Sequence, residues 1–132
     1  MKLISALFLL CFPFLLIAQN HQSVDTIAVP ANTENIFSRP LYGDSLTSSF
    51  LIVVKKEVKP HLHLFHSEQV YVLSGEAEMT LGDQKFMIKA GDLIFIPKNT
   101  PHAATVTSAV PLKIISIQSP YFDGTDRVPV GK

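Results

Sequence analysis

The chain has 132 residues, 47% hydrophobic and 17% charged, with eleven basic side chains balancing eleven acidic ones. That is enough apolar material for one domain with a real core, and it excludes a disordered chain. No basic run or charged tail accompanies the zero net charge, so no nucleic-acid partner is expected.

The first stretch, "MKLISALFLLCFPFLLIAQN", places Lys2 before an apolar run from Leu3 to Ala18. A short charged start, an apolar middle and a small residue before polar Gln19 predict a signal peptide over residues 1–18. The run falls short of the roughly 20 residues a membrane span needs, and Pro13 interrupts it, so no stable membrane anchor is expected after cleavage. Cys11 is the only cysteine and lies inside this run, without the small-residue context of a lipidation site. The mature chain then has no disulfide and no thiolate nucleophile. The expectation is an exported bacterial protein, periplasmic or secreted. Residues 19–35 are polar, with Pro30 and an exposed His21, and read as a flexible leader that ends in an edge strand.

The domain proper is expected over residues 36–132. "SSFLIVVKKEVK", "HLHLF", "EQVYVLS", "EAEMTL", "KFMIK", "LIFIP", "HAATVTS" and "LKIISIQ" are β-prone runs punctuated by Gly, Pro and Asp turns. None carries a 3.6-residue period. Short strands with a turn every 8 to 12 residues predict an all-β sandwich or barrel of about eleven strands. The last stretch, "SPYFDGTDRVPVGK", reads as an ordered loop or tail.

"KPHLHLFHSEQVYVLSG" concentrates three of the five histidines. His61 and His63 are two apart on a strand and share a face, with Leu62 and Leu64 pointing away. A tight reversal followed by antiparallel pairing would return Glu68 beside them, because cross-strand neighbours lie about 5 Å apart. Two imidazoles and a carboxylate on one face suit a divalent first-row metal. His66 falls in the turn, where a solvated histidine is the plain expectation and an acid–base group the sharper one. His102 begins a strand after the Pro-bracketed "PKNTP".

The spacing His-x-His-x4-Glu-x6-Gly in "HLHLFHSEQVYVLSG", followed by Gly-x5-Pro-x-Asn-x2-His in "GDLIFIPKNTPH", resembles the two signature motifs of the cupin superfamily, in order. The likeness runs from about Phe50 to Ile117 and is closest to small single-domain bacterial cupins of the type-2 conserved-barrel kind. It implies an antiparallel double-stranded β-helix (a cupin or jelly-roll barrel). It also implies four metal ligands, His61, His63, Glu68 and His102, around one divalent transition metal (Mn, Fe, Ni, Zn, Cu or Co). The pattern departs from the family at Asn99, where glycine is common, at Lys55 and at Val106. Asn tolerates the left-handed region that such a turn needs.

On this resemblance the chain is expected to be a metalloenzyme for a small oxygenated molecule, of dioxygenase, isomerase or lyase type. A non-catalytic module for a sugar-like small molecule, its metal structural or ligand-presenting, is the alternative. The only catalytic candidate besides the ligands is His66. Phe65, Met79 and Phe86 are candidate core or cavity residues. Glu76 and Glu78 should face solvent, and Asp92 should cap a turn. Arg39 and Arg127, the only arginines, could each bind a substrate carboxylate or pair with Asp44, Asp123 or Asp126. "FLIVV" (Phe50 to Val54) and "LIFI" (Leu93 to Ile96) are apolar on both faces, which predicts a homodimer burying their outer sides. A tail folded over that surface would do the same in a monomer.

Overall fold

Strand after strand alternates apolar and polar side chains, and the computed structural model, which describes residues 21–131, places the apolar set inward. The strands are β1 (Ile36–Gly43), β2 (Ser48–Val54), β3 (Glu57–Leu62), β4 (Ser67–Ser74), β5 (Glu76–Leu81), β6 (Gln84–Lys89), β7 (Leu93–Ile96), β8 (His102–Val106), β9 (Leu112–Ser119) and β10 (Val128–Pro129). They form two antiparallel five-stranded sheets, ordered β1-β2-β9-β4-β7 and β10-β3-β8-β5-β6. The chain crosses between the sheets again and again, and only β1–β2 and β5–β6 are hairpins within one sheet. This is the double-stranded β-helix, all β as expected. The sequence expectation of about eleven strands becomes ten among the described residues.

Alternation decides what each strand buries. On β9, Leu112, Ile114, Ser116 and Gln118 are buried while the intervening residues are half-covered. On β5, Ala77 and Met79 are buried and Glu76 and Glu78 are exposed, as expected. The core joins Val54, Val70, Val72, Ile88, Ile96 and Leu112 between the sheets. Each such side chain contributes about 1.5–3 kcal/mol by leaving water.

Two turns depend on backbone freedom. Gly75 has φ +80°, and a Cβ there would lie 2.5 Å from the Pro111 carbonyl oxygen. Asn99 has φ 59° and donates its N–H to the His63 carbonyl at 2.7 Å, so it occupies the left-handed turn position expected of it. Asp92 caps its turn by accepting the Lys89 N–H at 2.8 Å.

Residues expected to form a flexible leader are tied to the barrel over 24–35. Lys113 Nζ donates to the Val24 carbonyl at 3.2 Å and to Asp25 at 3.0 Å, Asn35 accepts from the N–H groups of Lys56 and Glu57, and Ile27 is buried. The expected signal peptide, residues 1–18, lies outside the described residues. The two apolar runs part company. Leu51, Val53 and Val54 are all buried, so "FLIVV" is covered on both faces. On β7, Ile94 and Ile96 turn inward while Leu93 and Phe95 stay exposed. The tail adds β10 to the edge of the other sheet. It pairs β10 with β3 at Leu62 and His61, and the Phe122 N–H donates to Ser48 Oγ at 3.0 Å.

Candidate metal centre

Three imidazoles meet between the sheets. His61 is the penultimate residue of β3 and the direct cross-strand partner of His102 at the start of β8. His63 lies one residue beyond β3. All three are buried, and their ligand atoms lie within 4.8 Å of one another. Glu68 also reaches them, but not as the sequence suggested. β3 and β4 do not pair: they belong to opposite sheets, and β4 pairs with β7 and β9. The segment Leu64–His66 carries the chain across the sandwich instead of reversing it as a hairpin. Glu68 therefore faces the histidines across the barrel, with Oε2 3.5 Å from Nε2 of both His63 and His102.

Backbone carbonyls set the orientation of each ring. His61 Nδ1 donates to the Lys59 carbonyl at 2.9 Å, His102 Nδ1 to the Thr100 carbonyl at 3.0 Å, and His63 Nδ1 to the Asp126 carbonyl. A carbonyl can only accept, so in the neutral form of each ring the proton sits on Nδ1 and the Nε2 lone pair is free. His63 Nε2 and His102 Nε2 are buried with no hydrogen-bond partner. Lone pairs facing a carboxylate oxygen at 3.5 Å are unfavourable unless a cation lies between them. Donors that share one ion at about 2.1 Å stand about 3.0–3.4 Å apart, close to this separation. The residues fit a divalent metal, and the carbonyls holding Nδ1 are the outer partners that such a site requires.

The electrostatics agree. Burial would raise the Glu68 carboxyl, but the close approach of His102 and His63 and the hydrogen bond from Ser116 hold it well below the usual carboxylate range. Burial lowers His61 to about 4, and the neighbouring His102 adds to this, so its imidazole stays neutral. His63 is raised: burial opposes its charge, but Glu68 and the Asp126 carbonyl outweigh it. A proton on His63 is what an ion would displace.

The site opens into a cavity of about 300 Å³ with largely apolar walls, among them Phe50, Ile52, Val70, Met79, Ile96 and Ile114. Phe65 is 66% exposed and Phe86 packs against the core, so of the three apolar candidates only Met79 lines it. His66 corrects its expectation of solvation. It is buried outside the cavity lining, with Nδ1 2.5 Å from Asp126 Oδ2 and Nε2 2.9 Å from the Tyr121 carbonyl. Both ring nitrogens are thus occupied by neighbours within the fold, and His66 does not line the cavity.

Sequence reasoning missed Asp126 and the end of β9. The Asp126 carboxylate accepts the N–H groups of Leu64, Phe65 and His66 at 2.8, 2.8 and 3.1 Å. Burial would raise this carboxyl, but His66 and the Phe65 and Leu64 N–H groups lower it to about 2. Ser116 Oγ donates to Glu68 Oε1. Ser116 and Gln118 were legible as polar residues at the inward positions of an apolar strand. Nothing local marked Asp126, which acts at more than fifty residues' distance.

The chain matches the family model described as "Cupin domain" over residues 50–118. A protein of Aquifex aeolicus, itself uncharacterized, is 39% identical over 83 residues, covering 63% of this chain and 68% of its own. The mannose-1-phosphate guanylyltransferase RfbM of Salmonella typhimurium is 40% identical over 67 residues, which is 51% of this chain and only 14% of that enzyme. A Streptomyces Pac13 structure with uridine superposes with a TM-score of 0.65 at 20% identity, over 76% of this chain and 82% of that one. Pac13 is described as a nucleoside dehydratase.

Proposed function

The chain belongs to the cupin family, and on that premise we propose that it is a metal-dependent enzyme acting on a small oxygenated molecule at His61, His63, Glu68 and His102. The observation that carries this reading is the pair of buried, unpartnered Nε2 atoms on His63 and His102 beside the Glu68 carboxylate, at the end of a cavity. A divalent ion held by these four residues would supply Lewis-acid or dioxygen chemistry. The protein's own part is positional. The carbonyls of Lys59, Thr100 and Asp126 keep the imidazoles in one tautomer, and Ser116 holds Glu68 Oε1 so that Oε2 turns to the histidines. Apolar walls exclude water from the reacting end. Pac13, a nucleoside dehydratase on a fold of this kind, supports catalysis by a lone barrel.

The second reading is a binding module. It is favoured by one observation: among the described residues, the titratable groups lining the cavity are the four proposed ligands and Arg127, with no separate general acid or base. Metal analysis of the purified protein, followed by a turnover screen with and without dioxygen, separates the two. One ion per chain with turnover supports the enzyme. A loaded protein that binds small molecules without turnover supports the module, and a protein that loads no ion overturns both.

For the compartment we propose export with cleavage after Ala18. N-terminal mass analysis of protein from the native host tests it, and an intact Met1 overturns it. For assembly we propose a homodimer that covers Leu93 and Phe95 on edge strand β7, together with Tyr71 paired to Leu93. Light scattering of wild type against Leu93→Lys plus Phe95→Lys tests this, with a dimer expected only for wild type.

A further inference from the structure

The cavity holds two polar groups outside the proposed ligand set that have not found partners. The first is Gln118, 5% exposed, whose Oε1 is buried with no hydrogen-bond partner. Its amide orientation is fixed by the chain of donors beside it. Ser116 gives its hydroxyl proton to Glu68, so its oxygen has only lone pairs to offer Gln118, and Gln118 Nε2 donates to it at 3.4 Å. The nitrogen is thereby turned toward Ser116, and Oε1 is left as a bare, buried acceptor on a residue that lines the cavity. A buried acceptor without a donor costs about 1–3 kcal/mol, a penalty that a ligand hydroxyl or N–H would relieve.

The second is Arg127, on the tail beside β10. It lines the same cavity yet stays accessible, at the mouth. Its Nη2 lies 3.4 Å from His61 Nδ1, but that nitrogen already carries a proton committed to the Lys59 carbonyl at 2.9 Å, so it cannot accept. Among the described residues, Arg127 has no carboxylate within ion-pair distance. Asp126, the candidate partner next to it, is engaged with His66 and three backbone N–H groups. Burial lowers the guanidinium's affinity for its proton while Glu68 raises it. Arg39 is different: it is exposed on β1 and does not line the cavity.

We propose that Arg127 and Gln118 are the substrate-recognition residues, and that the ligand is a small hydroxycarboxylate with a hydrocarbon remainder. Arg127 pairs with the carboxylate at the mouth, and Gln118 Oε1 accepts from the hydroxyl inside. The apolar walls take the remainder. A polyhydroxylated sugar would leave several hydroxyls buried against Ile, Val and Phe side chains without partners. The cavity, at about 300 Å³, also stands at the small end of ligand sites, too small for a sugar nucleotide. This rests on the cavity being the working site of the proposed enzyme, but the two contacts do not require the metal.

The test is calorimetric titration with 2-hydroxy-4-methylpentanoate, its uncharged amide, and 4-methylpentanoate, which lacks the hydroxyl. Wild type, Arg127→Gln, Arg127→Lys and Gln118→Leu are compared, each chelator-treated and each metal-loaded, with metal content measured alongside. Wild type should prefer the hydroxy acid to the amide by roughly tenfold, a modest factor because the guanidinium is accessible. Arg127→Gln should abolish that preference and Arg127→Lys should restore part of it. Gln118→Leu should instead remove the preference for the hydroxy acid over the deoxy acid. Equal binding of acid and amide by wild type, or an unchanged preference in Arg127→Gln, overturns the proposal, as does no binding at millimolar concentration. A wild type that loads metal but ignores the acid sinks the recognition pair and leaves the metal centre standing. Acid binding without any metal uptake does the reverse.

Discussion

Removing the Asp126 carboxylate tests how the tail builds the site. In Asp126→Ala, the N–H groups of Leu64, Phe65 and His66 and the Nδ1–H of His66 all lose their acceptor. Hydrogen bonds to a charged group contribute about 1.5–3 kcal/mol each, which sets a ceiling well above the real loss. Leu64 and Phe65 are 42% and 66% exposed, so water replaces the carboxylate at their N–H groups. His66 is buried and its donors are not so easily rehydrated. The expected loss is about 3–4 kcal/mol, a large share of the 5–15 kcal/mol typical of a whole domain. Asp126→Asn keeps one acceptor oxygen and should lose about half as much. The same residue's carbonyl orients His63, so loosening this segment should also weaken metal binding by roughly 10–100-fold. Urea unfolding of the metal-free protein gives the first quantity, and competition against a chromophoric chelator gives the second. An alanine variant within about 0.5 kcal/mol of wild type, with unchanged metal affinity, would refute the reasoning.

His61→Ala plus His63→Ala should abolish uptake of a divalent ion, yet keep the β-sheet circular dichroism, because the apolar core does not include either residue. Equal metal content in the two proteins would sink the site. Acid should destabilise the metal-free protein in two stages. His61 is depressed from 6.5 to about 4, so the unfolded chain takes up its proton first and stability falls as pH drops through that window. Glu68 and Asp126 are also depressed, so their stabilisation is complete above their ordinary values of 4.5 and 3.8 and is lost below them. Urea midpoints across pH should follow this course, with the 6.5-to-4 segment flattened in His61→Ala, and a slope of opposite sign in the His61-dependent part would refute it. Gly75→Ala should cost more than about 2 kcal/mol, since it combines a positive φ with a Cβ 2.5 Å from the Pro111 carbonyl oxygen, and thermal unfolding would check it.

The strands themselves, the turns at Gly75, Asp92 and Asn99, and the identity of the histidine-and-glutamate set were written locally. Period-two alternation fixes which side chains face inward, and two motifs with fixed spacing fix which of them could be ligands. Partner choice was not local. β3 and β4 follow one another and looked like a hairpin, yet they lie in opposite sheets, because only side-chain packing between sheets decides whether a short connection reverses or crosses. That one decision makes His102, and not Glu68, the neighbour of His61, and brings Glu68 in from across the barrel. The same holds for Asp126, His66 and Arg127. A solvated turn histidine, a surface ion pair and an ordered tail without assigned contacts were all consistent with the residues read in order. Contacts spanning about sixty residues turned them into a buried pair that holds the segment after His63, and left Arg127 facing the cavity.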